Sequence, residues 1–160
     1  MVEFKDINGN RIELSFSKST FSGLAGHVLI MCEFNGRWLL TKHSVRGLEF
    51  PGGKVEQEET LEEAAQREVN EETGAILKKL LWIADYRVTD KDTGESFVKA
   101  VFWGIADRIE QKETYYETEG PTLLKGNLDL ERHGQKFSFI MKDEVIGECL
   151  KQLEKFRGEQ

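Results

Sequence analysis

Gly53-Lys54-Val55-Glu56-Gln57-Glu58-Glu59-Thr60-Leu61-Glu62-Glu63-Ala64-Ala65-Gln66-Arg67-Glu68-Val69-Asn70-Glu71-Glu72-Thr73-Gly74-Ala75 is the stretch on which the reading of this chain turns. Thr60 and Glu63 form a T-x-x-E capping box ahead of Leu61, which predicts a helix start. Gly74 stands where a glycine ends a helix in the left-handed conformation. On a wheel of about 100° per residue, Leu61, Ala64, Ala65 and Val69 define one apolar arc. Glu68 and Glu72 fall inside that arc and Glu71 at its edge, while Glu63, Gln66 and Asn70 face the other way. A solvated acidic face explains Glu62 and Glu63. It does not explain Glu68 and Glu72, which repel one another at four-residue spacing and sit where an unpaired carboxylate is costly to bury. They need a counter-charge. Arg67 is one candidate, through Glu71, and a hard divalent ion is the better one for the rest, because Mg²⁺ and Mn²⁺ favour carboxylate and carbonyl oxygens.

The flanking sequence predicts an α+β fold built on a mixed sheet. Gly52-Gly53 lets the backbone approach a ligand closely, and a carbonyl there could join a metal shell. Arg11 to Phe16 alternates and reads as a half-buried strand; His27 to Phe34 reads as a denser one. Asn35-Gly36 between His27–Phe34 and Arg37–Thr41 is a hairpin signal. Lys42 to Glu49 reads as a polar loop, Leu77 to Val88 as one or two strands, Asp90 to Gly94 as a turn, and Phe97 to Ile105 as another strand. Arg108 to Gly120 reads as a charged loop. Val145, Ile146, Cys149, Leu150, Leu153 and Phe156 share one face of a C-terminal helix. The first helix is expected after the third or fourth strand.

Composition narrows the class. At 160 residues the chain is expected to form one domain over 1–160. Two cysteines, Cys32 and Cys149, are too few for a disulfide framework or a four-ligand zinc site and read as core residues. No apolar run approaches membrane-spanning length, and the N-terminus lacks a signal-peptide pattern, so a cytoplasmic protein with reduced thiols is expected. The net charge of −7 disfavours duplex DNA and anionic lipid. A small anionic substrate is compatible with it if a cation stands between the two.

Gly53-x5-Glu59-x7-Arg67-Glu68-Val69-x-Glu71-Glu72-x-Gly74-Ala75 resembles the Nudix box, G-x5-E-x7-R-E-U-x-E-E-x-G-U, with Ala75 where the family usually has a larger aliphatic residue. Phe50 to Glu56, Tyr115 to Pro121 and Lys136 to Asp143 extend the resemblance, over nearly the whole chain, to the MutT-like nucleoside triphosphatases of that superfamily. The resemblance implies an α/β/α sandwich around a mixed sheet. It implies hydrolysis of (deoxy)nucleoside triphosphates, including 8-oxo-dGTP, to a monophosphate and pyrophosphate, with Mg²⁺ or Mn²⁺ as cofactor. By the same resemblance the metal ligands fall on Glu68, Glu71 and Glu72 with a carbonyl of Gly52 or Gly53. Glu59 supports the site, and Arg67 orients a carboxylate. A further acid comes from a loop, Glu117 in preference to Glu119.

Phosphate contacts could come from Arg37, Lys42, Arg46 and Lys54. Phe21, Phe50, Phe137 or Phe139 could wall a base, and Asn127 could meet a purine edge. His27, His43 and His133 have no assigned role. The box alone does not separate a triphosphatase from an enzyme acting on RNA 5′-triphosphates, ADP-ribose or dinucleoside polyphosphates. A nucleotide-binding regulator without turnover is the reading from a different class. Nothing in the sequence specifies the oligomeric state.

Overall fold

In the computed structural model, which describes residues 1–158, the chain forms one nine-stranded mixed sheet with helices on both faces. The strands are β1 (Val2–Lys5), β2 (Arg11–Ser15), β3 (Ala25–Phe34), β4 (Arg37–His43), β5 (Gly47–Glu49), β6 (Gly52–Lys54), β7 (Ala75–Thr89), β8 (Ser96–Ile109) and β9 (Thr118–Leu123). The helices are α1 (Leu61–Thr73), α2 (Leu128–Glu131) and α3 (Glu144–Gly158), and a 3-10 turn spans Phe139–Lys142. Strand order is β1-β2-β7-β8-β3-β4-β5, with β6 also on β3 and β9 also on β4. Only β3 and β8 run parallel; α1 lies on the crossover between them.

The sheet is covered on both sides because β3 and β8 are apolar on both. Val28, Ile30 and Cys32 of β3, with Ala100 and Phe102 of β8, pack with Ala64, Ala65 and Val69 of α1. Leu29, Met31, Val101 and Trp103 alternate to the other face and pack with Val145, Ile146, Cys149 and Leu153 of α3. The α/β/α layering therefore follows from period-2 strands meeting two one-faced helices. Both cysteines are fully buried, where loss of solvation pushes each thiol up to about 12.

The predicted boundaries of α1 hold. Thr60 Oγ1 accepts from the Glu63 N–H and Glu63 Oε1 accepts from the Thr60 N–H, both at 3.0 Å, and Gly74 ends the helix at φ 80°. Asn35 and Gly36 take φ 51° and 77°, the left-handed pair that a two-residue hairpin requires.

Four readings need correction. β2 is buried on both faces, because Glu13 is held by Arg87 of β7 through two 2.9 Å bonds. The polar loop after β4 contains β5, which folds back on β4. The charged loop is shortened at both ends by β8, which runs to Ile109, and by β9, which starts at Thr118. With β1, β5 and β6 added to the three strands read before it, α1 follows the sixth strand, and α2 is an added short helix.

Candidate active site

The inward carboxylates predicted for α1 are inward. Glu68 and Glu72 are 8% and 7% exposed, and Glu71 is intermediate. The α1 face that carries them meets β6, which pairs with β3 so that Gly53 lies opposite Val28 and Gly52 opposite Leu29. Contact there is close enough to require glycine. A Cβ on Gly53 would stand 2.5 Å from Glu68 Oε1, and one on Gly52 would stand 2.3 Å from the Val28 carbonyl oxygen. The Gly52 N–H donates to Glu72 Oε2 at 3.0 Å.

Arg67 organises the outer side of the cluster. Its main partner is Glu59, gripped by Nε at 2.7 Å and Nη2 at 3.0 Å. Nη1 reaches Glu68 at 2.9 Å and, more weakly, Glu71 at 3.3 Å. Nη2 also donates to the Lys54 carbonyl at 3.0 Å, tying helix to strand. The planar fork suits this multi-point role in a way a lysine would not. The grip of Arg67 pulls the Glu59 carboxyl down to about 2. For Glu68 burial outweighs that cation and raises its pKa, with Glu71 and Glu117 adding repulsion. Burial also pushes Glu72 up to about 9, against the opposing Gly52 hydrogen bond.

One cavity of about 440 Å³ is lined by Gly52, Gly53, Lys54, Glu56, Arg67, Glu68, Glu71, Tyr116 and Glu117. The structure thus brings the loop acid Glu117 to the box carboxylates. It holds Glu117 at φ 59°, an unfavourable conformation for a residue with a Cβ. The Tyr116 N–H donates to the Glu71 carbonyl at 3.2 Å, which docks the loop on the end of α1. Glu119 pairs with Lys42 at 3.7 Å, and neither lines this cavity.

The other candidates divide. Lys54 lines the cavity. Arg46 is committed to Glu49 through bonds of 3.1 and 2.7 Å and borders a neighbouring cavity that shares Gly52 and Gly53. Arg37 opens β4 beside the hairpin turn and lines neither cavity, which corrects its placement among the phosphate contacts. Asn127 is likewise corrected, since its Oδ1 caps α2 by accepting from the Leu130 N–H at 3.2 Å. Phe21, Phe50 and Phe137 are core residues; Phe139 is 41% exposed.

Thr41 and Thr118 were not singled out by the sequence. Their hydroxyls donate to the Glu72 carbonyl at 3.1 and 3.2 Å and anchor the end of α1 to β4 and β9. No local pattern marks them, because their partner lies 31 and 46 residues away.

A hard divalent cation fits this donor set, which consists of carboxylate and backbone oxygens only. Burial raises the pKa of Glu68 despite Arg67 and of Glu72 despite the Gly52 hydrogen bond, and a bound cation would favour both as carboxylates. Among the described residues, no three His, Cys, Asp or Glu side chains converge tightly enough to cage an ion unaided. Backbone and substrate oxygens would have to complete the shell, as is usual for Mg²⁺.

The family model for the NUDIX domain matches residues 24–121, from the turn before β3 into β9, and the chain belongs to that family. It is a Nudix hydrolase acting on pyrophosphate bonds of nucleotides, a family that generally uses divalent metal ions.

Among its relatives is YtkD of Bacillus subtilis, provisionally named an 8-oxo-dGTP diphosphatase, with 46% identity over 96% of each chain. The crystal structure of the Bacillus subtilis pyrophosphohydrolase BsRppH, as its E68A mutant, is 44% identical, covers 97% of each chain and superposes with a TM-score of 0.91. A NUDIX hydrolase from Nitrosomonas europaea shares the fold at 20% identity and a TM-score of 0.65, over 82% of this chain and 89% of its own.

Proposed function

We propose that this Nudix enzyme is a metal-dependent nucleoside triphosphate pyrophosphohydrolase. Its substrates would be (deoxy)nucleoside triphosphates, 8-oxo-dGTP among them, cleaved to a nucleoside monophosphate and pyrophosphate. The observation that carries this reading is the convergence of Gly52, Gly53, Glu68, Glu71 and Glu117 on one cavity, with Glu72 buried beside it. Glu68, Glu71 and Glu72, with a carbonyl of Gly52 or Gly53, would hold Mg²⁺ or Mn²⁺. When bound, that ion supplies phosphate charge neutralisation and acidifies a coordinated water.

The chain's own groups do the rest. Arg67 holds Glu68 and Glu71 in place. Glu68 or Glu117 takes the proton of the attacking water. The water oxygen bonds to phosphorus as the opposite P–O bond breaks, and the leaving oxygen carries the electron pair away. Lys54, on the cavity wall, is placed to meet phosphate charge. Neither cysteine is asked to act as a nucleophile.

Glu71→Gln tests the assignment. Mg²⁺-dependent pyrophosphate release should fall at least a hundredfold with the fold intact, and a near-wild-type rate would end the proposal.

A second reading is removal of pyrophosphate from 5′-triphosphorylated RNA. It draws on the likeness to the pyrophosphohydrolase BsRppH and on the further cavities, of about 100 and 210 Å³, that continue past Gly52 and Gly53. Comparing dGTP, 8-oxo-dGTP, ADP-ribose, diadenosine polyphosphate and triphosphorylated RNA separates these activities.

Residues 1–160 are read as one working domain, since β1 and α3 join the same layered core; residues 159–160 lie outside the described ones. Among the described residues no helix is long and apolar enough to cross a membrane. Cytoplasmic residence is part of the proposal and suits two buried free thiols.

A further inference from the structure

The carboxylate cavity has two ways out. One passes Gly52 and Gly53 into the space lined by Leu29, Phe50 and Ile140, apolar walls of the kind that take a nucleoside. The other passes Glu71, Tyr116 and Glu117 into a mouth of about 340 Å³ that also takes in Lys112, Thr114 and Tyr115. Among the described residues no Val, Leu, Ile or Met lines this mouth, so it suits charged oxygens better than a sugar or a base.

The segment that forms the mouth is strapped to the end of α1. The Glu110 N–H donates to the Gly74 carbonyl at 3.0 Å and the Tyr116 N–H to the Glu71 carbonyl at 3.2 Å, so the segment is docked on both sides of Lys112. Between these points the chain closes on itself, with the Lys112 N–H donating to the Tyr115 hydroxyl at 3.2 Å. The Tyr115 ring lies flush on Gly120, where a Cβ would stand 2.8 Å from it. The Lys112 ammonium donates to Asn70 Oδ1 at 2.8 Å, and Asn70 is the α1 residue next to Glu71. The other end of that amide is engaged as well, since Asn70 Nδ2 donates to the Ala75 carbonyl at 3.4 Å.

What this lysine lacks is an anion. Among the described residues its ammonium has one hydrogen-bond partner, an uncharged amide oxygen, while Glu71 on the same mouth pairs with Arg67 instead. Two of its three N–H donors remain for an incoming acceptor. The last turn of α1 has no basic residue of its own, so Lys112 also favours the negative end of the helix dipole. That role asks nothing of the substrate. The shared mouth does, because Glu71 and Glu117 repel any phosphate that extends past the metal-binding carboxylates, and Lys112 is the cation that lines the mouth with them.

We propose that Lys112, held ready by Asn70, is the contact for the terminal phosphate of the substrate, and that it makes the enzyme distinguish a triphosphate end from a diphosphate end. The inference rests on the placement of the phosphate chain at the carboxylate cavity proposed above. A chain that runs from the apolar space, past the carboxylates and into the mouth brings a third phosphate to Lys112 where a second one falls short. Lys112 is thus a specificity-determining residue and Asn70 a positioning residue. The triphosphate can belong to a free nucleotide or to the 5′ end of an RNA.

The test measures kcat/KM for Mg²⁺-dependent formation of dGMP from dGTP and from dGDP. A second series follows formation of 5′-monophosphorylated RNA from triphosphorylated and diphosphorylated oligoribonucleotides of one sequence. Wild type should favour the triphosphate by about tenfold or more in at least one series, the worth of one hydrogen bond to a charged group. The series that shows the preference identifies the source of the phosphate. Lys112→Met should lower kcat/KM about tenfold for the triphosphate and leave the diphosphate nearly unchanged, with the melting temperature confirming the fold. Lys112→Arg keeps a charge that can still meet Asn70 Oδ1 and should retain most of the preference.

A wild-type ratio near one in both series overturns the inference. So does a Lys112→Met variant that slows triphosphate and diphosphate alike, which is what a charge serving only the helix end would give. If no substrate is hydrolysed, the pyrophosphohydrolase reading fails separately. Calorimetry with dGTP and dGDP in Mg²⁺ then decides for Lys112. Tighter dGTP binding that Lys112→Met removes supports it, and equal or absent binding overturns it.

Discussion

Glu72→Gln isolates the electrostatic argument from catalysis. The glutamine is nearly the same shape, and its side-chain oxygen can still accept from the Gly52 N–H. What it removes is a titrating group that burial pushes from 4.5 up to about 9 in the metal-free protein. Between those pH values the folded wild type holds a proton that the unfolded chain has released, so wild-type stability declines as pH rises. The variant has no such decline. Its advantage should be negligible near pH 4.5 and reach about 3 kcal/mol at pH 7, at about 1.4 kcal/mol per tenfold change in proton affinity. Urea unfolding in EDTA at pH 5 and pH 8, followed by tryptophan fluorescence, reads this difference directly. Mg²⁺ should narrow the gap, because an ion at a hundred times its Kd stabilises the wild type by about 2.7 kcal/mol, much of which the variant forfeits. A variant no more stable than wild type at pH 8 in EDTA, or a gap equal at both pH values, would refute the reasoning.

Arg67→Lys should lower stability by about 2–3 kcal/mol in thermal or urea melts, because a lysine cannot reproduce the two-point grip on Glu59 together with the contacts to Glu68 and the Lys54 carbonyl. Gly53→Ala places a Cβ 2.5 Å from Glu68 Oε1 and forces that side chain aside; kcat should fall at least tenfold while circular dichroism and the melting temperature change little. Thr60→Ala removes the hydroxyl that accepts from the Glu63 N–H and should cost about 1 kcal/mol, measured by urea unfolding, with kcat unchanged.

What was legible in the sequence was whatever neighbouring residues decide among themselves. A capping box, a left-handed glycine and a periodic apolar arc act within α1, so its limits and inward acids could be read directly. Asn35-Gly36 likewise carries its own turn geometry. The missed strands had no such local signal. β6 begins with two glycines that have weak strand propensity, and β9 contains Gly120 and Pro121. β9 tolerates proline because, among the described residues, β4 is its sole sheet neighbour. Glu13 looked solvent-facing because its partner Arg87 lies 74 residues away.

The candidate site divides along the same line. The box spacing places three glutamates without reference to the rest of the chain. Arg37 and Asn127 are basic and polar residues of the right chemical type, yet Arg37 stands beside the hairpin turn, off the cavity, and the cap of α2 claims Asn127. Composition does not distinguish a side chain free to meet a phosphate from one already engaged. Arg46 shows the point most directly, since its charge is spent on Glu49.

The loop acid joins these two categories. Glu117 is named by analogy, but its position depends on contacts that no motif records. The Glu72 carbonyl receives hydroxyls from Thr41 and Thr118, and the Glu71 carbonyl receives the Tyr116 N–H. The last turn of α1 is thereby bonded to β4, to β9 and to the loop that precedes β9. Those carbonyls would otherwise end the helix without partners. Satisfying them with the segment that carries Glu117 ties the loop acid to the same turn that carries Glu71 and Glu72. A shift of the helix end would therefore carry all three acids together, and their spacing would survive motions that change how the rest of the loop packs.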